Sequence, residues 1–209
     1  MGYEHNIFVS YRSLDDEWRT WVREKFRSVI MPYLRAEFGP APGVFWDKDI
    51  ETGTSWPEAL RRALADSKIL VALLSKQYFR SVWCVGEMAH MLARGDAHNL
   101  GTSQNPGLLV VPVIIHDGDD MPACVKAIQS KDIRDCVSLC ATHESAIWEK
   151  LEGQVKELLP DILSAVRRAP PHDDRWGDQD WEEPRVEQLR KVLQISEPLG
   201  VDCPSLDGS

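Results

Sequence analysis

The 209-residue chain lacks any apolar run of membrane-spanning length, and its first six residues carry neither the basic nor the apolar segment of a secretory signal. The resulting expectation is a cytoplasmic protein that does not enter a membrane. No Gly-x-Gly-x-x-Gly follows the first apolar run, which disfavours a dehydrogenase of the Rossmann kind. The five cysteines, Cys84, Cys124, Cys136, Cys140 and Cys203, are odd in number and lack paired metal-ligand spacing. They read as free thiols, and no metal or resident cofactor is expected. Basic residues are in deficit, 24 Lys and Arg against 33 Asp and Glu for a net charge of −9, and −6 of this falls after Ala169. A large basic field for nucleic acid is therefore not expected, although a local basic patch stays open. No internal repeat is visible.

What is present is an alternation of short apolar strands with amphipathic helices. Ile7-Phe8-Val9-Ser10 reads as a first strand, and Ser13, Leu14, Asp15 and Asp16 as a cap leading into a helix with Trp18, Trp21, Val22, Phe26, Val29 and Ile30 on one side. Val44-Phe45-Trp46 follows as a second strand, residues 47–54 as a polar loop ending near Gly53, and Ser55-Trp56-Pro57-Glu58 as the cap of a helix carrying Leu60, Ala63 and Leu64. The run 69–74 is apolar at every position, as in a strand covered on both faces, and is placed at the sheet centre. A helix from Ser81 is expected to stop near Gly95. A fourth strand over 108–115 contains Pro112, which is awkward in a central ladder. A segment about Ile133 adds an edge strand, and Ile147, Leu151, Val155, Leu158, Leu159 and Ile162 space out as a final amphipathic helix. This order predicts an α/β fold, a doubly wound sheet of mainly parallel strands flanked by helices. Residues 1–168 form the expected domain, and 169–209 an acidic tail containing Pro and Trp, with one short helix through Val186, Leu189, Val192 and Leu193.

The most informative stretch is Ser81-Val82-Trp83-Cys84-Val85-Gly86-Glu87. A helix beginning at Ser81 sets Trp83 and Glu87 one turn apart, so an aromatic ring and a carboxylate share a face at the carboxyl edge of the sheet. Open α/β sheets bind ligands at that edge.

Three segments together carry a resemblance. Ile7-Phe8-Val9-Ser10-Tyr11-Arg12, the run from Val44-Phe45-Trp46-Asp47 through Ile50-Glu51-Thr52-Gly53, and Trp83-Cys84-Val85-Gly86-Glu87 lie in the right order at element boundaries. Over roughly the first 165 positions the chain resembles a Toll/interleukin-1 receptor (TIR) domain, in particular the bacterial enzymatic branch. The resemblance implies a flavodoxin-like fold and, for members with the glutamate, cleavage of NAD+ at the nicotinamide–ribose bond. The product is ADP-ribose, linear or cyclised, and the setting is bacterial defence or cell death. It also implies self-association through the second segment, with a site completed by a neighbour's loop over 47–55.

The chemistry suits these residues. Nicotinamide leaves as a neutral molecule because its ring nitrogen is already cationic, so a single carboxylate that stabilises an oxocarbenium-like transition state suffices. Glu87 is assigned this catalytic role, in a surface cleft. Trp83 stacks on nicotinamide or packs in the core; Tyr11, Arg12 and Ser13 meet the pyrophosphate, unless Arg12 caps a helix or forms a salt bridge and Tyr11 only orders its loop. Trp46, Asp47, Glu51 and Cys84 complete the substrate-binding set, with Asp47 and Glu51 accepting from ribose hydroxyls and Cys84 also readable as a packed thiol. His90 reads as a surface or core histidine, and Trp18, Trp21, Trp56 and Trp148 as structural. Two other readings stay open: a non-enzymatic TIR interaction module, and a relative of nucleoside glycosyl-transferring enzymes.

Overall fold

Five parallel strands, β1 (His5–Ser10), β2 (Val44–Phe45), β3 (Ser67–Leu74), β4 (Val110–Ile114) and β5 (Lys131–Asp132), pair in the order β2-β1-β3-β4-β5. This computed structural model describes residues 2–12, 16–46, 56–117, 121–126, 128–138, 140, 142–143, 145–178 and 191. The central place of β3 follows from its composition. No residue of 69–74 is more than 1% exposed, because neighbouring strands take its backbone groups and helices cover both faces.

The helices are α1 (Asp16–Trp21), which runs through a π turn (Val22–Phe26) into α2 (Arg27–Phe38), then α3 (Trp56–Ala65), α4 (Val82–Ala97), α5 (Ala123–Lys126) and α6 (Ala146–Arg168). Right-handed crossovers fix their sides. The chain leaves β1 toward β2 in one direction and returns past β1 to β3 in the other, so α2 and α3 lie on opposite faces. Accordingly α2 packs against α6, and α3 and α4 pack against β3 on the other side. The Tyr33 hydroxyl, which donates to Glu152, ties α2 to α6.

The structure corrects or sharpens three local readings of the sequence. Pro112 sits in a regular strand, opposite Ala72. Bonds from Leu70 N–H to Leu109 O (2.9 Å) and from Ile115 N–H to Leu74 O (3.0 Å) set the alternation of β4 toward β3 at odd-numbered positions. Pro112 therefore turns its missing donor toward β5, where pairing starts only at Val113. Helix α4 stops near Gly95 as expected, with its last residue at Ala97, because Asn99 (φ 56°) supplies the left-handed residue of a Schellman cap. Its signature bonds are Leu100 N–H to Gly95 O (2.9 Å) and Asn99 N–H to Asp96 O (3.1 Å). On α6, Ile147 is exposed and the neighbouring Trp148 is buried in its stead. Trp21 and Trp148 are core residues as expected, whereas the Trp56 side chain lies outside the described residues.

Residues 170–178 pack along the amino edge of the sheet. The Tyr3 hydroxyl donates to Pro170 O (2.7 Å), His172 Nε2 lies 2.8 Å from Asp66 Oδ1, and Trp176 closes over the guanidinium of Arg94 at 3.8 Å. Arg94 is 1% exposed and donates to Leu64 O, Ser67 O and the Tyr3 hydroxyl. Burial lowers its pKa from the usual arginine value, and Tyr3 and Asp66 act against that shift. The short helix expected about Leu189 lies outside the described residues. No helix among the described residues is long and apolar enough to cross a membrane.

Candidate active site

Ser81 begins α4 with its own side chain. In extended conformation, it accepts the Cys84 N–H on Oγ at 3.4 Å and thereby satisfies a first-turn amide. Glu87 follows on the same helix and is only 5% exposed, a departure from the open surface cleft expected for it. A run of hydroxyls leads to its carboxylate. Ser10, the last residue of β1, donates from Oγ to Glu87 Oε2, and Ser10 Oγ lies 2.8 Å from the hydroxyl of Tyr78 in the turn after β3. A hydroxyl has one hydrogen and a carboxylate only accepts, so with Glu87 ionised the proton order is Tyr78 to Ser10 to Glu87. Burial raises the Tyr78 pKa well above the ordinary phenol value, with the nearby Cys84 and Glu87 adding to it, which keeps the phenol a donor.

On the other side of the β1 end a cleft of about 230 Å³ opens, lined among others by Tyr11, Arg12, Trp18, Gln77, His116 and Asp117. It lies where loops from β1 and β3 depart to opposite faces, the switch point of this strand order. Arg12 Nη1 donates to Gln77 O (3.1 Å) and so ties the two loops together. Trp18 meets the edge of His116 at 5.1 Å and 63°, and His116 Nδ1 lies 2.5 Å from Asp117 Oδ2. Glu87 is not part of this lining. Strand alternation gives the reason: Ser10 points toward α4, and Tyr11 toward α1.

The expected site residues thus divide. Tyr11 and Arg12 come together in the cleft, whereas Glu87 and Cys84, the latter 4% exposed, lie within α4 on the opposite face. Trp83 is partly buried against the core one turn before Glu87. Trp46 is 1% exposed with the Arg27 guanidinium 5.1 Å from its ring centre, and does not reach the cleft. Ser13, Asp47 and Glu51, with the loop 47–55, lie outside the described residues. His90 is buried, and of the thiols Cys84, Cys136 and Cys140 form no disulfide, while Cys203 and the Cys124 side chain lie outside the described residues. Among the described residues no three His, Cys, Asp or Glu side chains are grouped to hold a metal ion.

Sequence reasoning missed Tyr78, His116 and Asp117, and it took Trp18 as purely structural although its ring walls the cleft. His116 and Asp117 were findable, since they directly follow a strand next to the switch point. Nothing local singles out Tyr78.

Known proteins bear on this arrangement. The family model for the TIR domain matches residues 7–151. Among curated proteins of Arabidopsis thaliana, Protein SUPPRESSOR OF npr1-1, CONSTITUTIVE 1 is 25% identical over 208 residues, covering 90% of this chain and 13% of that protein. Probable disease resistance protein RPP1 is 33% identical over 91 residues, 44% of this chain and 7% of its own length. The chain therefore spans only a small part of these relatives. A solved structure, the TIR domains of the activated Roq1 resistosome directly recognizing the pathogen effector XopQ, aligns at 22% identity and a TM-score of 0.41, covering 92% of this chain and 85% of that one. With the family match extending from β1 into α6 across all five strands, the chain belongs to the TIR domain family.

Proposed function

We propose that the chain is an NAD+ glycohydrolase that cleaves the nicotinamide–ribose bond, and that it serves as an assembly-activated effector of immunity or cell death, of the bacterial type its motifs resemble. The observation that carries the reading is Glu87, a carboxylate buried beside the end of β1 and held by the hydroxyl of Ser10. A buried carboxylate is kept only where hydrogen bonds hold it, and one held by a hydroxyl at the carboxyl edge of a parallel sheet is a functional-site candidate. In the proposed step a ribose hydroxyl of the substrate takes the place of Ser10 as donor to Glu87. The carboxylate then stabilises the positive charge that develops as neutral nicotinamide departs. Water completes the reaction, giving ADP-ribose and releasing a proton; intramolecular attack by the adenine gives the cyclic product instead.

One observation favours the alternative, a TIR interaction module without enzymatic activity: the cleft is smaller than common ligand pockets and excludes Glu87. Incubation of the purified chain with NAD+ and chromatographic separation of nicotinamide and nucleotides separates the two readings. Under the proposal, specific activity rises steeply with protein concentration, because a neighbour's 47–55 loop completes the site. Ile50→Asp, on that loop, is expected to remove both assembly and turnover. Flat specific activity across a dilution series, with Ile50→Asp silent, would leave assembly without support.

Trp83 supplies a second check. Stacking needs a ring more than an indole N–H, so Trp83→Ala is expected to lower kcat/KM by about tenfold or more and Trp83→Phe by only a few fold. Equal losses in steady-state kinetics would remove nicotinamide stacking from the scheme.

A further inference from the structure

We propose that the α1-side cleft is the subsite for the adenine end of the dinucleotide, with Trp18 as its stacking wall and Asp117 as the acceptor for the exocyclic amine. The inference rests on the NAD+ reading above. At about 230 Å³ the cleft holds one ring system and not a whole dinucleotide. The scissile ribose must lie at Glu87, which is outside the lining, so the ring in the cleft is the one remote from the reaction. Chain order then matches ligand order. Ser10 contacts Glu87, and Tyr11 and Arg12, the next residues along the chain, line the cleft together with Trp18 and His116. Arg12 lies where a pyrophosphate would pass between the two ends.

The lining is suited to a base carrying an amine. Trp18 offers an aromatic face, and Leu73 and Ile115 add apolar floor. Asp117 holds His116 through one carboxylate oxygen, and its second oxygen accepts from an amine but repels a carbonyl. Asp117 also adopts φ 50°, a left-handed conformation rare outside glycine and least costly for Asn and Asp. Such local strain is a recurrent property of residues that meet ligands. Both His116 and Asp117 keep about half of their side-chain surface open, at 51% and 40%, so an incoming ring has access to them.

The intact chain tests this with two ligands and two variants. AMP is expected to bind the wild-type protein in saturation-transfer NMR, with the adenine protons receiving the transfer. Asp117→Asn, which tolerates the same backbone conformation, is expected to weaken AMP about tenfold, the effect of losing one charge-assisted hydrogen bond, and to leave nicotinamide mononucleotide unchanged. Trp18→Leu, which keeps Asp117, is expected to weaken AMP by a similar factor. In turnover, wild type should prefer NAD+ over its hypoxanthine analogue about tenfold in kcat/KM, and Asp117→Asn should abolish that preference. Absence of AMP binding, or an Asp117→Asn effect equal on AMP and nicotinamide mononucleotide, overturns the subsite. AMP binding that depends on Asp117 in a chain that leaves NAD+ intact supports the subsite and overturns the glycohydrolase. NAD+ cleavage without adenine preference does the reverse.

Discussion

Glu87→Gln is expected to lower NAD+ turnover by about a thousandfold or more while leaving the fold in place, because an amide cannot balance the charge that develops on the ribose. The choice of glutamine follows from the structure. Glu87 is 5% exposed and accepts from Ser10, so alanine would open a cavity and strand a buried hydroxyl, at a cost of about 1–3 kcal/mol. Glutamine keeps the volume and leaves an oxygen for Ser10. Steady-state nicotinamide release, with urea denaturation run in parallel, reads both quantities. Turnover within tenfold of wild type in a folded Glu87→Gln protein would sink the catalytic assignment.

The parts of this architecture that depend on one element were legible in the sequence. The apolar run through Ile69 and Leu74 declared a strand covered on both faces, and the strand–helix alternation declared a parallel sheet. Ser81 and the turn spacing after it placed Glu87 on the first turns of a helix at the edge of that sheet. What required two distant elements was not legible. The Tyr78–Ser10–Glu87 chain joins residues 68 and 77 positions apart, and only the β1–β3 register brings them together. Trp18 lines the cleft from α1, which runs into a π turn at Val22, and its place there depends on where the loops after β3 and β4 lie, which its own segment does not announce. Trp46, expected in the substrate-binding set, is 1% exposed with the Arg27 guanidinium of α2 over its ring, a contact between distant elements that its own segment does not announce. Asn99 ended α4 where a nearby glycine was the more obvious candidate, since asparagine is the second residue type that tolerates the left-handed position.

Trp176→Ala is expected to destabilise the fold by about 3 kcal/mol without changing activity per folded molecule. Trp176 is 7% exposed, and its ring lies 3.8 Å from the centre of a guanidinium that is itself 1% exposed. Loss of the ring removes apolar burial and a desolvated cation–π contact together, the second of these about 2 kcal/mol. The estimate stays at the low end for a buried tryptophan because the segment that carries it regains freedom once released. Arg94 has other anchors, in Leu64 O, Ser67 O and the Tyr3 hydroxyl, so Arg94→Leu is destabilising for reasons of its own. The double-mutant cycle isolates what the two share. If the ring stabilises the buried cation, Trp176→Ala costs about 1–2 kcal/mol less in the Arg94→Leu background than in wild type, as read from urea midpoints at constant slope. Strict additivity would mean that the tail is held by apolar burial and by the contacts of His172 and Pro170 alone. Activity is expected to be unmoved in either case, because this packing lies at the amino edge of the sheet and Glu87 beside the carboxyl end of β1.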